Sequence, residues 1–290
     1  MPKRATPSLT DRVSALVFKA GMGLLQRLPY ERRIPLAGRL LSGVAPLLGF
    51  RRRIRANLAL TCPDLPPAEV ARLCKAVPDN IGRTLAEMFS GTEFITRMRD
   101  IPLEGPGAAR LTELKETGKA CVLVSGHFGN YDAARGVLIA RGFPIAGLYR
   151  PMNNALFNRD YLAAIETVGT PLYPRDRRGM TNMLRHLKNG GMVALATDQY
   201  FRTGAVLQFF GKPAPSPLSA AEMALRLDID LIPIYAIRQP DGLSFRFYVG
   251  EPVPHTTPEE MTQVTLDSLE AQVRAHMEQW LWIHRRWNKT

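Results

Sequence analysis

Three cysteines in 290 residues, Cys62, Cys74 and Cys121, are odd in number and form no C-x-x-C pair, which argues against a disulfide framework and against a zinc site. A reducing compartment suits that usage. No window of eighteen residues is free of charge, so hydropathy identifies no spanning helix. Asp11, Arg12 and Lys19 interrupt the N-terminus, which lacks the clean apolar run and small-residue cleavage site of a signal peptide and is expected to be retained. No Gly-x-Ser-x-Gly elbow follows any expected strand, which removes the Ser-His-Asp hydrolase reading. Internal repeats, low-complexity tracts and Gly/Ser linkers are also missing.

Negative charge is scarce in the first sixty residues. Asp11 and Glu31 stand there against twelve basic side chains, so most of the net charge of +12 resides in that segment. Such an excess asks for an anionic partner: nucleic acid, an anionic bilayer, or an acidic protein or substrate. Over 11–28, Val13, Leu16, Val17, Ala20, Leu24 and Leu28 recur at spacings of three and four, which predicts an amphipathic helix. A second apolar stretch, Leu36 to Phe50, runs straight into Arg51, Arg52, Arg53 and Arg55. Each basic side chain near an anionic leaflet is worth roughly 1 kcal/mol, so residues 1–60 read as a membrane-associating arm. The alternative is a solvated helix docked on its own domain. Nucleic-acid binding finds no helix-turn-helix, zinc or RNA-binding signature to support it.

Residues 61–290 read as one catalytic domain, with enough apolar content (46% over the whole chain) for a genuine core. Helices are predicted at 68–76 and, with Pro78 in the first turn, at 78–90. From Lys119 strands and helices alternate: strand 120–125, helix 130–141, strand 144–149, helix 154–168, strand 170–174, helix 177–189 and strand 191–197. That order implies an α/β fold, a mostly parallel central sheet flanked by helices. Strands at 205–210, 231–238 and 243–249, a helix at 217–227, and a closing helix from Pro258 to about Trp282 complete the expectation. Asp241-Gly242 marks a hairpin between the last two strands.

The segment from Cys121 to Asp132 runs from a buried strand through Gly126 and Gly129 into a helix, and ligands gather at such carboxyl ends of strands. His127 suits a general base there, because imidazole titrates near neutral pH and a carboxylate on its far nitrogen would steady the charged form. Asp132, five residues on, is the candidate for that carboxylate. Spacing alone is weak, since His255 and Glu260 repeat it. His255, however, follows a Pro-Val-Pro run and precedes a helix cap, whereas His127 follows a strand. Trp280, Trp282 and Trp287 interleave with Arg285, Arg286 and Lys289, a pattern open to nucleic-acid stacking, an interfacial belt or core packing.

Gly-His-Phe-Gly-Asn-Tyr-Asp at 126–132, Tyr149-Arg150-Pro151, Pro174-Arg175-Asp176, Asp198-Gln199, Phe209-Phe210-Gly211 and Trp280 to Trp287 together resemble the lipid A late acyltransferase family. Arg51 to Leu58 and Asn80 to Thr84 extend the resemblance over most of the chain from about residue 50. It implies a glycerolipid acyltransferase-like fold and transfer of a fatty acyl group from acyl carrier protein or coenzyme A. The implied acceptor is a hydroxyl of a lipid A precursor at the cytoplasmic face of the inner membrane, with no metal or redox cofactor. Carried over residue by residue, it implies catalysis by His127 and Asp132, with Arg150, Arg175, Asp198, Asn130 and Gly129 about the substrate. Arg150 would hold phosphate or a developing oxyanion, and Asp198 would orient the histidine or an arginine. Two departures stand out: Asp132 where the family commonly has Glu, and Tyr200 where it often has Asp. The reaction class survives both, while lysophospholipids, mannosylated inositol lipids and amino-acid lipids remain open as acceptors.

Overall fold

The computed structural model describes residues 7–287, so Lys3, Arg4 and Lys289 lie outside the described residues. The chain begins with helices α1 (Leu9–Leu25), α2 (Tyr30–Val44), α3 (Phe50–Thr61), α4 (Pro67–Met88) and α5 (Thr92–Met98). Strand β1 (Leu103–Glu104) and α6 (Ala108–Glu116) lead into the alternating body. There follow β2 (Cys121–Ser125), α7 (Tyr131–Ala140), β3 (Ile145–Tyr149), α8 (Ala155–Val168), β4 (Leu172–Pro174), α9 (Arg177–Lys188) and β5 (Met192–Ala196). Then come β6 (Ala205–Phe209), β7 (Lys212–Ser216), α10 (Ser219–Leu227), β8 (Asp230–Arg238), β9 (Phe245–Val249) and α11 (Pro258–Ala275).

Seven strands form one sheet in the order β1-β9-β8-β2-β5-β3-β4, parallel throughout except for the β8/β9 hairpin, while β6 and β7 pair separately. The near-continuous apolar runs of β2, β5 and β8 are what a sheet covered on both faces requires. Helices α5, α6 and α7 share one core with one face of the sheet, and α9 and α10 share another with the opposite face. A third core gathers α3, α4, the β6/β7 hairpin and the C-terminal tryptophans.

The first sixty residues are therefore not a free arm. Ile34 and Ala37 of α2 belong to the core that includes β2, and Ile54 and Leu58 of α3 pack into the core that holds Phe128 and Trp280. Helices α2 and α4 approach closely because Gly82 has no side chain: a Cβ there would lie 2.6 Å from the Ala37 carbonyl oxygen. Among the described helices α1 leaves the longest apolar stripe uncovered, with Leu9, Val13, Leu16, Val17 and Leu24 exposed. None of the described helices is long and apolar enough to cross a membrane.

Three expectations change. Pro78 does not start a second helix, because α4 runs through it, and burial of Leu73, Cys74, Val77 and Ala86 along that helix outweighs the missing N–H. The closing helix stops at Ala275 rather than near Trp282, since the chain breaks at His276, makes one 3-10 turn at Met277–Gln279 and bridges at Trp280 to the turn after β2. Strand β7 was hidden by Pro213 and Pro215, which a two-stranded hairpin accepts where their missing N–H would face away from the partner.

Behind the β2 to α7 turn lies a buried ion pair. Glu87 of α4 and Arg238 at the end of β8 meet with a second contact at 2.8 Å, and Arg238 also donates to Asn80 at 2.8 Å. Arg238→Met would leave the buried Glu87 with Asn130 but without its counter-charge, and should cost about 3–5 kcal/mol in urea unfolding. Arg72→Ala, which removes a half-exposed partner of Glu69, should cost at most about 1 kcal/mol in the same assay.

Candidate active site

Strands β2 and β5 pair in parallel with Ser125 opposite Ala196, so the residues two beyond each, His127 and Asp198, emerge side by side at the carboxyl edge. His127 Nδ1 lies 2.7 Å from Asp198 Oδ1, and the His127 backbone N–H donates to Oδ2 at 2.8 Å. The Trp280 indole N–H also donates to Oδ2, at 2.8 Å. A carboxylate can only accept, so in its neutral form the ring carries its proton on Nδ1 and keeps a lone pair on Nε2. The Gln199 amide nitrogen stands 3.3 Å from that Nε2.

Burial opposes charge on the ring, but the charge of Asp198 and its hydrogen bond prevail, and His127 titrates above the ordinary imidazole range. Burial also opposes charge on Asp198, which is 2% exposed. The His127 charge, its two hydrogen bonds and the Trp280 indole overcome that and hold the Asp198 carboxyl at about 2.

Asp132 does not occupy the place behind His127. Asn130 caps α7 by accepting from the backbone N–H groups of Asp132 and Ala133, which puts Asp132 in the first helical turn. The helix then brings it onto one face with Arg135, whose Nε and Nη2 donate to Oδ1 at 3.2 and 2.9 Å. Its buried Oδ2 has no partner, and Asp132 acts on His127 only as a nearby charge.

Gly129 and Asn130 are likewise structural rather than substrate-facing. Gly129 adopts φ +56°, where a Cβ would lie 2.0 Å from the Ala236 carbonyl oxygen, and its own carbonyl accepts from Asn80 and Thr84. The fully buried Asn130 donates to Glu87 at 2.8 Å. Neither lines the cavity described next.

His127, 23% exposed, opens onto a cavity of about 510 Å³. Its lining sets apolar Leu123, Ala134, Ile165, Leu172 and Ile234 beside the buried Asp132 and Arg135 pair, and Tyr131 and Tyr161 also face it. Arg150 and Arg175 line the mouth from the ends of β3 and β4, held in step by the Arg175 N–H donating to the Tyr149 carbonyl at 2.8 Å. Both are exposed, and neither meets a carboxylate among the described residues. Four adjacent parallel strands, β2, β5, β3 and β4, thus each deliver one polar group to a single edge.

Elsewhere, His255 binds the Ile229 carbonyl at 3.1 Å while Glu260 closes a capping box with Thr257, so the same spacing there serves a helix start. Arg51, Arg52 and Arg55 on α3 are exposed and Arg53 is half-buried. Trp280 and Trp282 are buried, which fits core packing, although Trp280 lies in extended chain and Trp282 in a turn rather than in a helix. Sequence reasoning did not single out Gln199, Tyr131 or Tyr161. The first two sit inside quoted motifs, and Tyr161 carries no local signal beyond its helix. Among the described residues no three of His, Cys, Asp and Glu cluster to hold a metal ion.

Residues 3–289 match the family model described as bacterial lipid A biosynthesis acyltransferase. The chain is 25% identical over 295 residues to a phosphatidylinositol mannoside acyltransferase of Mycobacterium tuberculosis (strain ATCC 25618 / H37Rv), covering 99% of this chain and 92% of the relative. It is 22% identical over 286 residues to the protein of that name in Mycolicibacterium smegmatis, covering 96% and 93%. A lipid A biosynthesis palmitoleoyltransferase of Escherichia coli (strain K12) is 25% identical over 282 residues, covering 92% and 89%.

Asp198→Asn removes the two largest influences that raise the His127 titration and leaves the burial that lowers it, so the imidazole midpoint, followed by NMR, should drop. Asp132→Asn should lower it less, because that contribution is through space only. A larger drop for Asp132→Asn would reverse the ranking of the two acids.

Proposed function

On the premise that this chain belongs to the bacterial lipid A biosynthesis acyltransferase family and is an acyltransferase, we propose that His127 deprotonates a hydroxyl of an anionic lipid, which attacks an acyl thioester. The observation that carries this reading is the His127 and Asp198 pair facing a cavity that offers apolar side chains along its lining and exposed guanidiniums from Arg150 and Arg175. Nε2 takes the hydroxyl proton as the oxygen attacks the thioester carbonyl. The tetrahedral intermediate then collapses, the C–S bond breaks, and the thiolate leaves with the proton that His127 returns. Asp198 stabilises the imidazolium throughout, and no covalent enzyme intermediate is needed.

The apolar side chains of that lining suit the alkyl chain of the donor, whether carried by acyl carrier protein or by coenzyme A. Arg150 and Arg175 suit a phosphate of the acceptor, since a guanidinium stays charged and grips two oxygens at once. A lipid A precursor is the acceptor the family name favours. A mannosylated inositol lipid is the second reading, favoured by the relatives named as phosphatidylinositol mannoside acyltransferases. Comparing lipids from cells with and without the protein by mass spectrometry separates them: the species that loses one acyl chain identifies the acceptor. An unchanged lipidome would remove both.

The bilayer is the natural source of such a substrate, and the anionic cytoplasmic face of the inner membrane is the proposed location. The uncovered stripe of α1, with Leu47 and Leu48 after α2 and the arginines of α3, supports a protein that lies on the membrane.

His127→Ala should lower acyl transfer by roughly 10²- to 10⁴-fold with the fold retained by circular dichroism. In the intact enzyme kcat/KM should fall as pH drops through the raised His127 pKa, because only the neutral ring accepts a proton. Replacing Leu16 and Val17 by Glu should reduce sedimentation with anionic vesicles. Replacing Arg51, Arg52 and Arg55 by Ala should weaken the same binding and its salt dependence.

A further inference from the structure

The segment after α11 touches both halves of the catalytic pair. The Gly129 N–H donates to the Gln279 carbonyl at 2.9 Å, Phe128 and Trp280 form an antiparallel bridge, and the Leu281 N–H donates to the His127 carbonyl at 3.1 Å. On the other side, His284 Nε2 accepts from the Tyr200 N–H at 3.0 Å, two residues beyond Asp198. Helix α3 holds this segment in turn, because Asn57 donates to the carbonyls of Trp282 and His284 at 2.7 and 2.9 Å. One short stretch of chain thus grips the backbone that carries the base and the loop that carries the acid.

We propose that Trp280 is a positioning residue of the catalytic pair, its indole N–H fixing the Asp198 carboxylate so that Oδ1 stays on His127 Nδ1. This inference rests on the reading of His127 as the base. Asp198 Oδ2 receives two donors, the His127 backbone N–H and the indole, and together they prevent the carboxylate from rotating as the ring gains charge. An indole suits the task chemically. It donates without accepting and does not titrate, so it neutralises part of the charge on Oδ2 and never competes for the proton. The ring is also locked in place, with centroids of Trp282 and Phe209 at 4.7 and 5.4 Å.

Other charges and titrating groups face the pair. Asp132 and Tyr131 approach from α7, and Gln199 contacts the ring from the loop after β5. Tyr235 reaches toward Asp198 from β8, and His284 and Arg286 from the C-terminal segment. None of these six donates to Asp198, so removing the indole N–H alone changes what the carboxylate offers to His127. With that donor gone, negative charge concentrates toward the ring, the imidazolium gains stability, and the acid limb of activity moves to higher pH.

The test compares wild type with Trp280→Phe, which keeps an aromatic ring and removes the indole N–H. In the substrate-free full-length protein labelled with ¹⁵N-tryptophan, the resonance lost in Trp280→Phe should titrate with the His127 midpoint and lose that response in Asp198→Asn. With an acyl-coenzyme A donor and anionic lipid vesicles, Trp280→Phe should lower kcat about tenfold, leave KM within about twofold, and shift the acid limb upward. An indole resonance silent through the His127 titration, or an acid limb that stays put or moves down in Trp280→Phe, overturns the proposal. The NMR arm needs no substrate, so it fails separately from the acyl-transfer reading, which His127→Ala tests.

Discussion

A carboxylate removed from water must be met by donors or it is lost as a charge, and Asp198 is the group on which this requirement falls most heavily. Its donors lie 71 and 82 residues away in sequence, on the turn after β2 and on the chain after α11. Leaving such a group unsatisfied costs several kcal/mol, so the burial of Asp198 is tolerable only when β2, β5 and the closing segment are all in place. The in-register parallel pairing of β2 with β5 is the first condition, and the departure of the chain from helix at Ala275 is the second. A longer final helix would carry Trp280 away from the carboxylate.

A second buried charge network supports the same turn from behind. Glu87 accepts from both Arg238 and Asn130, and Asn130 in turn caps α7, so helix α4, strand β8 and the turn bearing His127 share one set of hydrogen bonds. The N-terminal helices are continuous with that structure, α2 through its contact with α4 and α3 through Asn57. Lipid contact at the outer surface of these helices would therefore be made by elements that also frame the active site. The separation into a membrane arm and a catalytic body, natural on charge alone, overlooks Ile34, Ile54 and Leu58 at the centre of two cores.

Asp132 and Asp198 show how far local spacing reaches. An acid five residues from a histidine at a helix start looks like its partner, yet the first turn of α7 delivers Asp132 to Arg135 and leaves the histidine to an acid from the neighbouring strand. Spacing within one segment describes which groups share a helix face. It does not describe which strands lie side by side, and the partner of His127 was decided by the strand order.

Much of the architecture was legible because it rests on short-range physics. Apolar runs of strand length alternating with amphipathic helices dictated a parallel sheet, the glycine-flanked turn after β2 marked the site, and Asp241-Gly242 marked the hairpin. The family motifs by themselves point to His127, Arg150, Arg175 and Asp198. Short strands such as β1, the proline-bearing β7 and the continuity of α4 through Pro78 escaped, since each depends on packing from outside the segment. So did the true position of Asp132, the structural duties of Gly129 and Asn130, and the extended course of Trp280. The sequence by itself determined which segments become strands and helices and which side chains could do chemistry, because those follow from neighbours within a few residues. Only the tertiary structure decided which of those side chains meet, because contacts across 70 or more residues are set by strand order and core packing rather than by local pattern.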